Sequence, residues 1–333
     1  MKIWLRINGL EFSSWYIVHK ELAGAFREYG VEVHNDMSSY PLGVNEYIEM
    51  WWCDPEYWDW SDKKVRLRVG IALSEHRSLF ATNPKTVIRN INQCDVLFCP
   101  SYSAMQAYLE SPIEVPIYLM PLGVNPCEFH YCERNFDEMP FKFLHLGVTQ
   151  FRKGSWLACE AFIKAFGKDD DAQLTIATHR PSPMYEQLQK EYGHRISFVC
   201  NKVISSLEYY KQHHVLVAPH LSEGFGLCIP EAMATGMPCI VSRCSAPREY
   251  FDKKYGWWIE MSELYSPVNQ CFPGVRGLWR LPDVNSIAER IRYVFENRQE
   301  CKEKGEQASE YVLANMTWKN SVLQAISTME KLL

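Results

Sequence analysis

The 333-residue chain is 47% hydrophobic and 23% charged, an ordinary globular composition, and its length predicts two domains rather than one. It has no run of about 18 apolar residues, which excludes an integral membrane segment but not a peripheral membrane contact, and Arg6 and Asn8 interrupt the N-terminal apolar run too early for a signal peptide. The net charge is −5, with 12 Lys and Arg against 19 Asp and Glu in residues 1–138, so the first part of the chain is unsuited to general polyanion binding.

The first part of the chain predicts an alternation of strands and helices. Lys2–Asn8 is a short apolar run that predicts a strand, Trp15–Tyr29 has helical spacing, and Val31–His34 follows Gly30 as a second strand. Further strands are predicted at Val65–Leu73, Asp95–Cys99 and Pro116–Met120, with helices at Pro84–Gln93 and Ser101–Leu109. The segment Met120–Pro126, "MPLGVNP", then interrupts the pattern with Pro, Gly and Asn, which indicates a connection between domains.

The alternation starts again at Phe141 and continues for about a hundred residues. Strands are predicted at Phe141–Leu146, Leu174–Ala177, Ile196–Val199, Val215–Pro219 and Pro238–Val241, and helices at Ser155–Phe166, Pro183–Tyr192, Ser205–Gln212 and Leu227–Thr235. From Pro282 to Leu333 the spacing is helical. Such alternation predicts a parallel sheet covered by helices on both faces, so the fold class is α/β with two Rossmann-like domains facing an interdomain cleft.

The segment "PHLSEGFGLCIPEAMATGMPCIVS" (Pro219–Ser242) carries two glutamates, Glu223 and Glu231, separated by seven residues. It leads from a predicted strand into a predicted helix, where the backbone N–H groups and the helix dipole favour an anion. Gly224 and Gly226 allow a ligand to approach the backbone closely. Carboxylates in such a place bind sugar hydroxyls, so the segment predicts a site for an elongated ligand that carries both an anion and hydroxyl groups.

A second strand–loop–helix segment, "FKFLHLGVTQFRKGSWLACEAFIKAF" (Phe141–Phe166), places Arg152 and Lys153 directly before a helix. Arg is a planar fork that binds phosphate through two bonds, and Lys is a compact charge that binds it as a point. The pair therefore predicts a phosphate site at the end of this strand.

These segments resemble those of the family 4 (group 1) retaining glycosyltransferases, which have the GT-B fold. Over about residues 95–330 the resemblance includes the E-x7-E segment, the strand–Gly–loop–Lys-Gly–helix element and a closing helix at "NMTWKNSVLQAI". It implies an N-terminal acceptor domain at residues 1–138, a nucleotide-sugar donor domain at 139–312, and a helix at 313–333 that crosses back to the first domain. Many members carry Arg directly after the glycine, where this chain has Val148, so the second phosphate contact passes to Arg152.

The resemblance also implies roles for individual residues. Glu231 would bind the ribose hydroxyls, Glu223 a hydroxyl of the donor sugar, and Lys153 with Arg152 the leaving diphosphate. The other residues that it places near the donor are Gly224, Phe225, Gly226, Leu227, Lys202 and Gly9. In the first domain, Glu75 and His76 follow a strand where related enzymes keep an acceptor-facing residue, although the residues themselves favour an ordinary polar strand end.

Two regions keep more than one interpretation. The aromatic cluster Trp51–Trp60 could stack on a sugar or a base, but such clusters more often pack a loop onto the core. The basic residues Lys63–Arg68 allow a DNA contact, with Arg66 and Arg68 on one face of a strand, while the acidic first domain opposes it. Residues 262–279 are expected to form a long loop, either covering the donor or lying on the surface.

No metal or other cofactor is expected. Twelve cysteines form no C-x-x-C pair, so in a chain without a secretory signal we expect reduced thiols and a cytoplasmic location. Asp169–Asp171 resembles the D-x-D metal motif of the other large glycosyltransferase fold, but its position between a helix and a strand predicts a solvated turn.

We therefore expect a retaining, metal-independent glycosyltransferase that moves a sugar from a nucleotide diphosphate sugar to a hydroxyl acceptor. The acceptor is open among a glycan, a small molecule and a hydroxylated base in DNA. Two alternatives remain at this point: a nucleotide-sugar epimerase of the same fold, and a sugar- or nucleotide-binding protein without catalytic activity.

Overall fold

The computed structural model of the chain describes residues 1–7, 14–35, 39–75, 83–179, 181–200, 205–267 and 278–333. The chain divides into two compact units. The first unit consists of Met1–Asn125 together with Met316–Leu333, and the second unit is Pro126–Asn315.

The first unit contains a six-stranded sheet in which every strand pairs in parallel with its neighbours. Its strands are β1 (Lys2–Arg6), β2 (Glu32–His34), β3 (Ile48–Trp52), β4 (Leu67–Ile71), β5 (Val96–Cys99) and β6 (Ile117–Leu119), in the order β2-β1-β3-β4-β5-β6. The helices between them are α1 (Ser14–Glu28), α2 (Pro84–Ile91) and α3 (Tyr102–Leu109). The predicted alternation of strands and helices is therefore confirmed in this half.

Strand β3, within the sequence "YIEMWW", was not among the predicted strands. All five of its residues are buried, so it lacks the apolar–polar alternation that marks a half-exposed strand. Trp51 and Trp52 lie in this strand, and Trp52 Nε1 donates to the Trp15 carbonyl at 2.9 Å. Trp58 is also buried, whereas Tyr57 is exposed. Most of the aromatic cluster thus belongs to the core, and not to a platform for a ligand.

The basic residues of Lys63–Arg68 also differ from the expectation. Strand β4 begins at Leu67, so Arg66 precedes it and does not share a strand face with Arg68. The Arg68 guanidinium donates to the Ser61 carbonyl at 2.8 Å and lies 3.9 Å from the buried Glu49 carboxylate. Because Arg68 balances a buried charge of its own unit, it is a structural cation, and the basic cluster loses one of the groups that favoured DNA.

The second unit contains another six-stranded parallel sheet. Its strands are β7 (Phe141–Leu146), β8 (Ala172–Thr178), β9 (Ser197–Cys200), β10 (Val215–Ala218), β11 (Cys239–Ser242) and β12 (Gly256–Ile259), in the order β12-β11-β10-β7-β8-β9. The helices are α4 (Ser155–Ala165), α5 (Pro183–Tyr192), α6 (Ser206–Gln212), α7 (Cys228–Ala234) and α8 (Pro247–Tyr250). Because the strand order reverses between β7 and β10, ligands are expected beyond the carboxyl ends of these two strands.

The long loop expected at 262–279 is instead a strand at both of its described ends. β13 (Met261–Pro267) and β14 (Leu278–Pro282) pair antiparallel, from Met261 opposite Pro282 to Pro267 opposite Leu278. Leu264, Tyr265 and Leu278 are exposed on this hairpin. A role of the hairpin in covering the donor stays a prediction.

The chain ends in α9 (Val284–Glu296), α10 (Arg298–Asn315) and α11 (Trp318–Glu330). Helix α11 packs against α1 and is part of the first unit. The boundary after Asn125 lies earlier than the expected domain end at residue 138, because Arg134 is bonded into the second unit. Its guanidinium donates to the carbonyls of Tyr210 (2.8 Å), His213 (3.0 Å) and Thr235 (2.7 Å).

None of the helices in the described ranges is long and apolar enough to cross a membrane. The cysteines that the structure describes are free thiols. Asp170 accepts bonds from Arg292 (2.7 Å) and from the Gly167 N–H (2.8 Å), as a turn residue does.

Candidate active site

Two loops meet at the reversal of strand order in the second unit: one follows β7 and runs to α4, and the other follows β10 and runs to α7. The Arg152 carbonyl accepts from the Leu221 N–H at 2.8 Å, and Arg152 Nη1 donates to the Ser222 carbonyl at 2.7 Å. The segments predicted separately to bind phosphate and sugar hydroxyls are therefore bonded to each other.

Gly154 permits this approach of the two loops. A Cβ atom at this position would lie 2.0 Å from the Pro219 carbonyl oxygen, closer than any real carbon–oxygen contact, and the residue has φ 65°. Only glycine accepts both conditions without strain. Gly154 is also the N-cap of α4, so it presents no side chain to the N–H groups of the first helical turn.

The Glu223 carboxylate is the centre of the site and is only 3% exposed. Its Oε1 atom accepts a bond from Lys153 Nζ, lies 3.2 Å from Arg152 Nη1, and lies 2.9 Å from His220 Nδ1. Burial acts to raise the pKa of Glu223, but the charges of Lys153 and Arg152 and the contact with His220 outweigh it and hold this pKa well below its ordinary value. Glu223 is therefore ionised and is paired with the two cations predicted to bind phosphate.

His220 is a member of this cluster that sequence reasoning did not single out. Its ring is 1% exposed, and burial lowers its pKa, so the imidazole is neutral near neutral pH. The proton facing Glu223 lies on Nδ1, because a carboxylate only accepts hydrogen bonds. Neither ring nitrogen makes a well-formed hydrogen bond among the described residues.

Glu231 lies in helix α7, eight residues after Glu223, which lies in the preceding loop. It has a hydrogen-bond partner that the sequence did not indicate. The buried Tyr210 hydroxyl on α6 lies 2.9 Å from Glu231 Oε2, to which it donates, and 3.2 Å from the Cys228 carbonyl. Burial, and next the Glu231 charge, hold the pKa of Tyr210 well above its ordinary value, so the phenol keeps its proton. The bond fixes one carboxylate oxygen of Glu231.

The segment Gly224–Leu227 joins the two glutamates. Gly226 has φ 87°, a left-handed conformation that favours glycine. The Tyr250 hydroxyl donates to the Phe225 carbonyl at 2.8 Å, and the Phe225 ring is buried with its centroid 5.3 Å from that of Tyr250. Phe225 thus offers only its backbone to a ligand. Helix α7 begins at Cys228 and has seven residues, shorter than the predicted Leu227–Thr235.

His145 supports the floor of the site at the end of β7. Its Nδ1–H donates to the Val217 carbonyl of β10 at 2.9 Å, and Nε2 accepts from the Ser155 hydroxyl at the start of α4, also at 2.9 Å. Complete burial lowers the pKa of His145 to about 3, so the imidazole is neutral. The His145 side chain therefore joins strands β7 and β10 to helix α4.

Several predicted site residues are not brought into this cluster. Gly9, His76 and Lys202 lie outside the described residues. Glu75 belongs to the first unit, half-buried just beyond the end of β4, and its acceptor role stays a prediction. In the described part of the chain no group of three or more His, Cys, Asp or Glu residues is arranged to hold a metal ion.

Residues 140–270 match the family model described as Glycosyl transferases group 1. The chain carries a group 1 glycosyltransferase domain. The matched residues include Arg152, Lys153, Glu223 and Glu231, so this glycosyltransferase domain contains the whole cluster described above. The expected resemblance to group 1 glycosyltransferases is confirmed over these residues, and the expectation of an enzyme is confirmed.

The chain is also similar to solved structures, glycosyltransferases among them. Sucrose-phosphate synthase from Thermosynechococcus elongatus is 18% identical with a TM-score of 0.70, over 99% of this chain and 98% of that chain. HepE from Anabaena, in complex with UDP and glucose, is 11% identical with a TM-score of 0.73, over 99% of this chain and 100% of that one. WaaG, a glycosyltransferase involved in lipopolysaccharide biosynthesis, is 12% identical with a TM-score of 0.69, over 98% of each chain. No curated protein sequence matches the chain.

At these identities the similarity shows the fold. Together with the two parallel six-stranded sheets, it confirms the predicted GT-B architecture of two Rossmann-like domains.

Proposed function

We propose that this glycosyltransferase transfers a sugar from a nucleoside diphosphate sugar to a hydroxyl acceptor, with retention of anomeric configuration and without a metal ion. The observation that carries the proposal is the convergence of Arg152 and Lys153 on the buried Glu223, at the point where the strand order of the donor domain reverses. Anionic ligands of open parallel sheets bind at such a point.

Cleavage of the anomeric C–O bond places negative charge on the leaving diphosphate and positive character on the sugar carbon. Two fixed cations beside the start of α4 stabilise the negative charge in the transition state. This supports the proposed metal independence, because the protein itself supplies the positive charge that a divalent ion would otherwise contribute. The backbone at Gly224–Gly226 would lie on the other side of the diphosphate.

In the absence of donor, Glu223 is the partner of both cations. We take the diphosphate to replace Glu223 as that partner, since it is more highly charged and offers more acceptor oxygens. Glu223 would then accept a bond from a donor-sugar hydroxyl. The buried carboxylate thus maintains the positions of Lys153 and Arg152 until a donor arrives.

Glu231 would bind the ribose hydroxyls, with its carboxylate oriented by the bond that Oε2 accepts from Tyr210. The donor to test first is a UDP-sugar, because HepE, which shares the fold, has been solved with UDP-glucose. Retention would follow from attack on the same face of the sugar, with the leaving phosphate accepting the acceptor's proton.

The proposal is tested by incubating the purified chain with labelled nucleotide sugars and candidate hydroxyl acceptors, and measuring release of nucleoside diphosphate. Turnover that persists in excess EDTA, with the product anomer determined by NMR, supports both metal independence and retention. Lys153→Ala and Glu231→Ala should each lose at least tenfold in turnover, about 1.4 kcal/mol. Wild-type turnover in either variant would refute the assigned role, and conversion of the donor without an acceptor would identify an epimerase instead.

A further inference from the structure

A third loop contacts the active site, and no role has been assigned to it. It follows β11 and leads to α8. Strand β11 is parallel to and adjacent to β10, so this loop begins at the same edge of the sheet as the loop that carries Glu223. Its central residue, Ser245, lies 2.7 Å from Glu223 through Oγ, which accepts a bond from the Glu223 N–H.

The loop forms hydrogen bonds with both backbone groups of Glu223, its N–H and its carbonyl. In addition to the bond from the Glu223 N–H to Ser245, the Ala246 N–H donates to the Glu223 carbonyl at 3.3 Å. The Ser222 hydroxyl donates to Ser245 Oγ at 3.3 Å, and the Cys244 thiol to the His220 carbonyl at 3.3 Å. The contacts with residues 220–223 thus concentrate on the backbone that carries the central carboxylate.

Ser245 makes these contacts from an unfavourable backbone conformation. It is the non-glycine residue with positive φ in the described part of the chain, at 29°. In this region the Cβ atom of an L-residue clashes with its own backbone, and glycine avoids this strain. The chain nevertheless places a serine here, and glycine lacks the one group, the hydroxyl, that serine uses in the site.

We propose that Ser245 is a positioning residue for catalysis, which holds the Glu223 backbone so that its carboxylate points at the donor sugar. The inference rests on the proposed function of Glu223. The side chain of Glu223 must exchange partners when the diphosphate engages Lys153 and Arg152. The bonds from Ser245 and Ala246 to the Glu223 backbone do not involve those cations, so Ser245 helps to keep the residue in place during the exchange.

The proposal makes opposite predictions for activity and stability. Ser245→Gly removes both the strain and the hydroxyl, so the melting temperature should stay the same or rise, while kcat falls about tenfold with less than a threefold change in donor KM. Ser245→Ala removes the hydroxyl but keeps the Cβ atom in the strained region. It should lose kcat to the same extent and melt below Ser245→Gly.

The experiment measures kcat, donor KM and thermal unfolding of the full chain with Ser245→Gly, Ser245→Ala and Glu223→Gln. Loss of kcat in both serine variants, with Ser245→Gly at least as stable as wild type, supports the inference, because a merely structural serine would lose stability together with activity. Wild-type kcat in Ser245→Gly would overturn it. If Ser245→Gly instead melts well below wild type, the strain argument fails and the inference fails with it.

Glu223→Gln separates this inference from the proposed function. Unchanged turnover in Glu223→Gln would refute the catalytic role of Glu223 and the inference that rests on it. Reduced turnover in Glu223→Gln combined with full turnover in Ser245→Gly would leave the proposed function intact and overturn only the role of Ser245.

Discussion

Replacement of Lys153 by Met tests whether the buried ion cluster exists in the enzyme without donor. Glu223 is 3% exposed, and among the described residues its carboxylate contacts Lys153, Arg152 at 3.2 Å and His220 at 2.9 Å. Removing one partner of an otherwise unpaired buried charge costs about 3–5 kcal/mol. Because two contacts remain here, we expect Lys153→Met to lower the free energy of unfolding by about 1–3 kcal/mol.

The assay is chemical denaturation of the donor-free protein at pH 7.5, with unfolding monitored by a spectroscopic probe placed in the second unit. The double variant Lys153→Met/Glu223→Gln completes a double-mutant cycle with the two single variants. In it the neutral amide of Gln no longer needs a balancing cation. We expect it to recover about 1–2 kcal/mol relative to the sum of the single effects. Lys142→Met is the matched control, since Lys142 pairs with Glu138 at 3.4 Å on the surface and such pairs contribute about 0.5 kcal/mol or less.

Two results would contradict this reasoning. If Lys153→Met is as stable as wild type and as the Lys142→Met control, Lys153 does not balance the buried carboxylate. If the double-variant cycle shows no coupling, the two side chains are not partners in solution. High salt should change the difference little, because a buried pair is screened far less than a surface pair.

Three further predictions concern the support of the site. Gly154→Ala should lower the melting temperature and weaken nucleoside diphosphate binding in calorimetry, because its Cβ would lie 2.0 Å from a carbonyl oxygen of the neighbouring loop; Gly167→Ala, where the nearest atom is at 3.7 Å, is the control. The pKa of His145 is lowered to about 3 in the folded state, so between about pH 6.5 and pH 3 only the unfolded state binds this proton, and the free energy of unfolding decreases as the pH is lowered. His145→Asn should therefore remove about 2 kcal/mol of the decrease in the free energy of unfolding between pH 7 and pH 5, measured by denaturation. An unchanged pH dependence in this variant would refute the assignment. Tyr210→Phe should raise donor KM several-fold at unchanged kcat in steady-state assays, since it frees the oxygen of Glu231 that is now fixed at 2.9 Å, whereas an unchanged KM would show that this bond has no role in donor binding.

The fold was largely predictable from local sequence, and local motifs also drew attention to the loops that meet at the candidate site. Strand β7 and helix α5 match the predicted Phe141–Leu146 and Pro183–Tyr192 to the residue, because Pro or Gly marks their ends. Arg152, Lys153, Glu223 and Glu231 were singled out because each belongs to a short motif between a strand and a helix, and the structure brings the first three together.

The remaining features depend on tertiary contacts that no local pattern records. Strand β3 escaped detection because full burial removes alternation. Tyr210, His220 and Ser245 reach the glutamates from other elements or from positions without a motif of their own, so only the folded structure pairs them. The positive φ of Ser245 was equally unpredictable, since the sequence there gives no glycine signal.

The return of Met316–Leu333 to the first unit has a consequence for how this protein is made. The second unit, Pro126–Asn315, is one uninterrupted stretch inserted into the first, whose own sequence is split in two. During translation the second unit is therefore complete before helix α11 joins the first unit. Because α11 packs against α1, we expect truncation within α11 to destabilise the first unit, which includes the beginning of the chain, more than the second unit next to the cut.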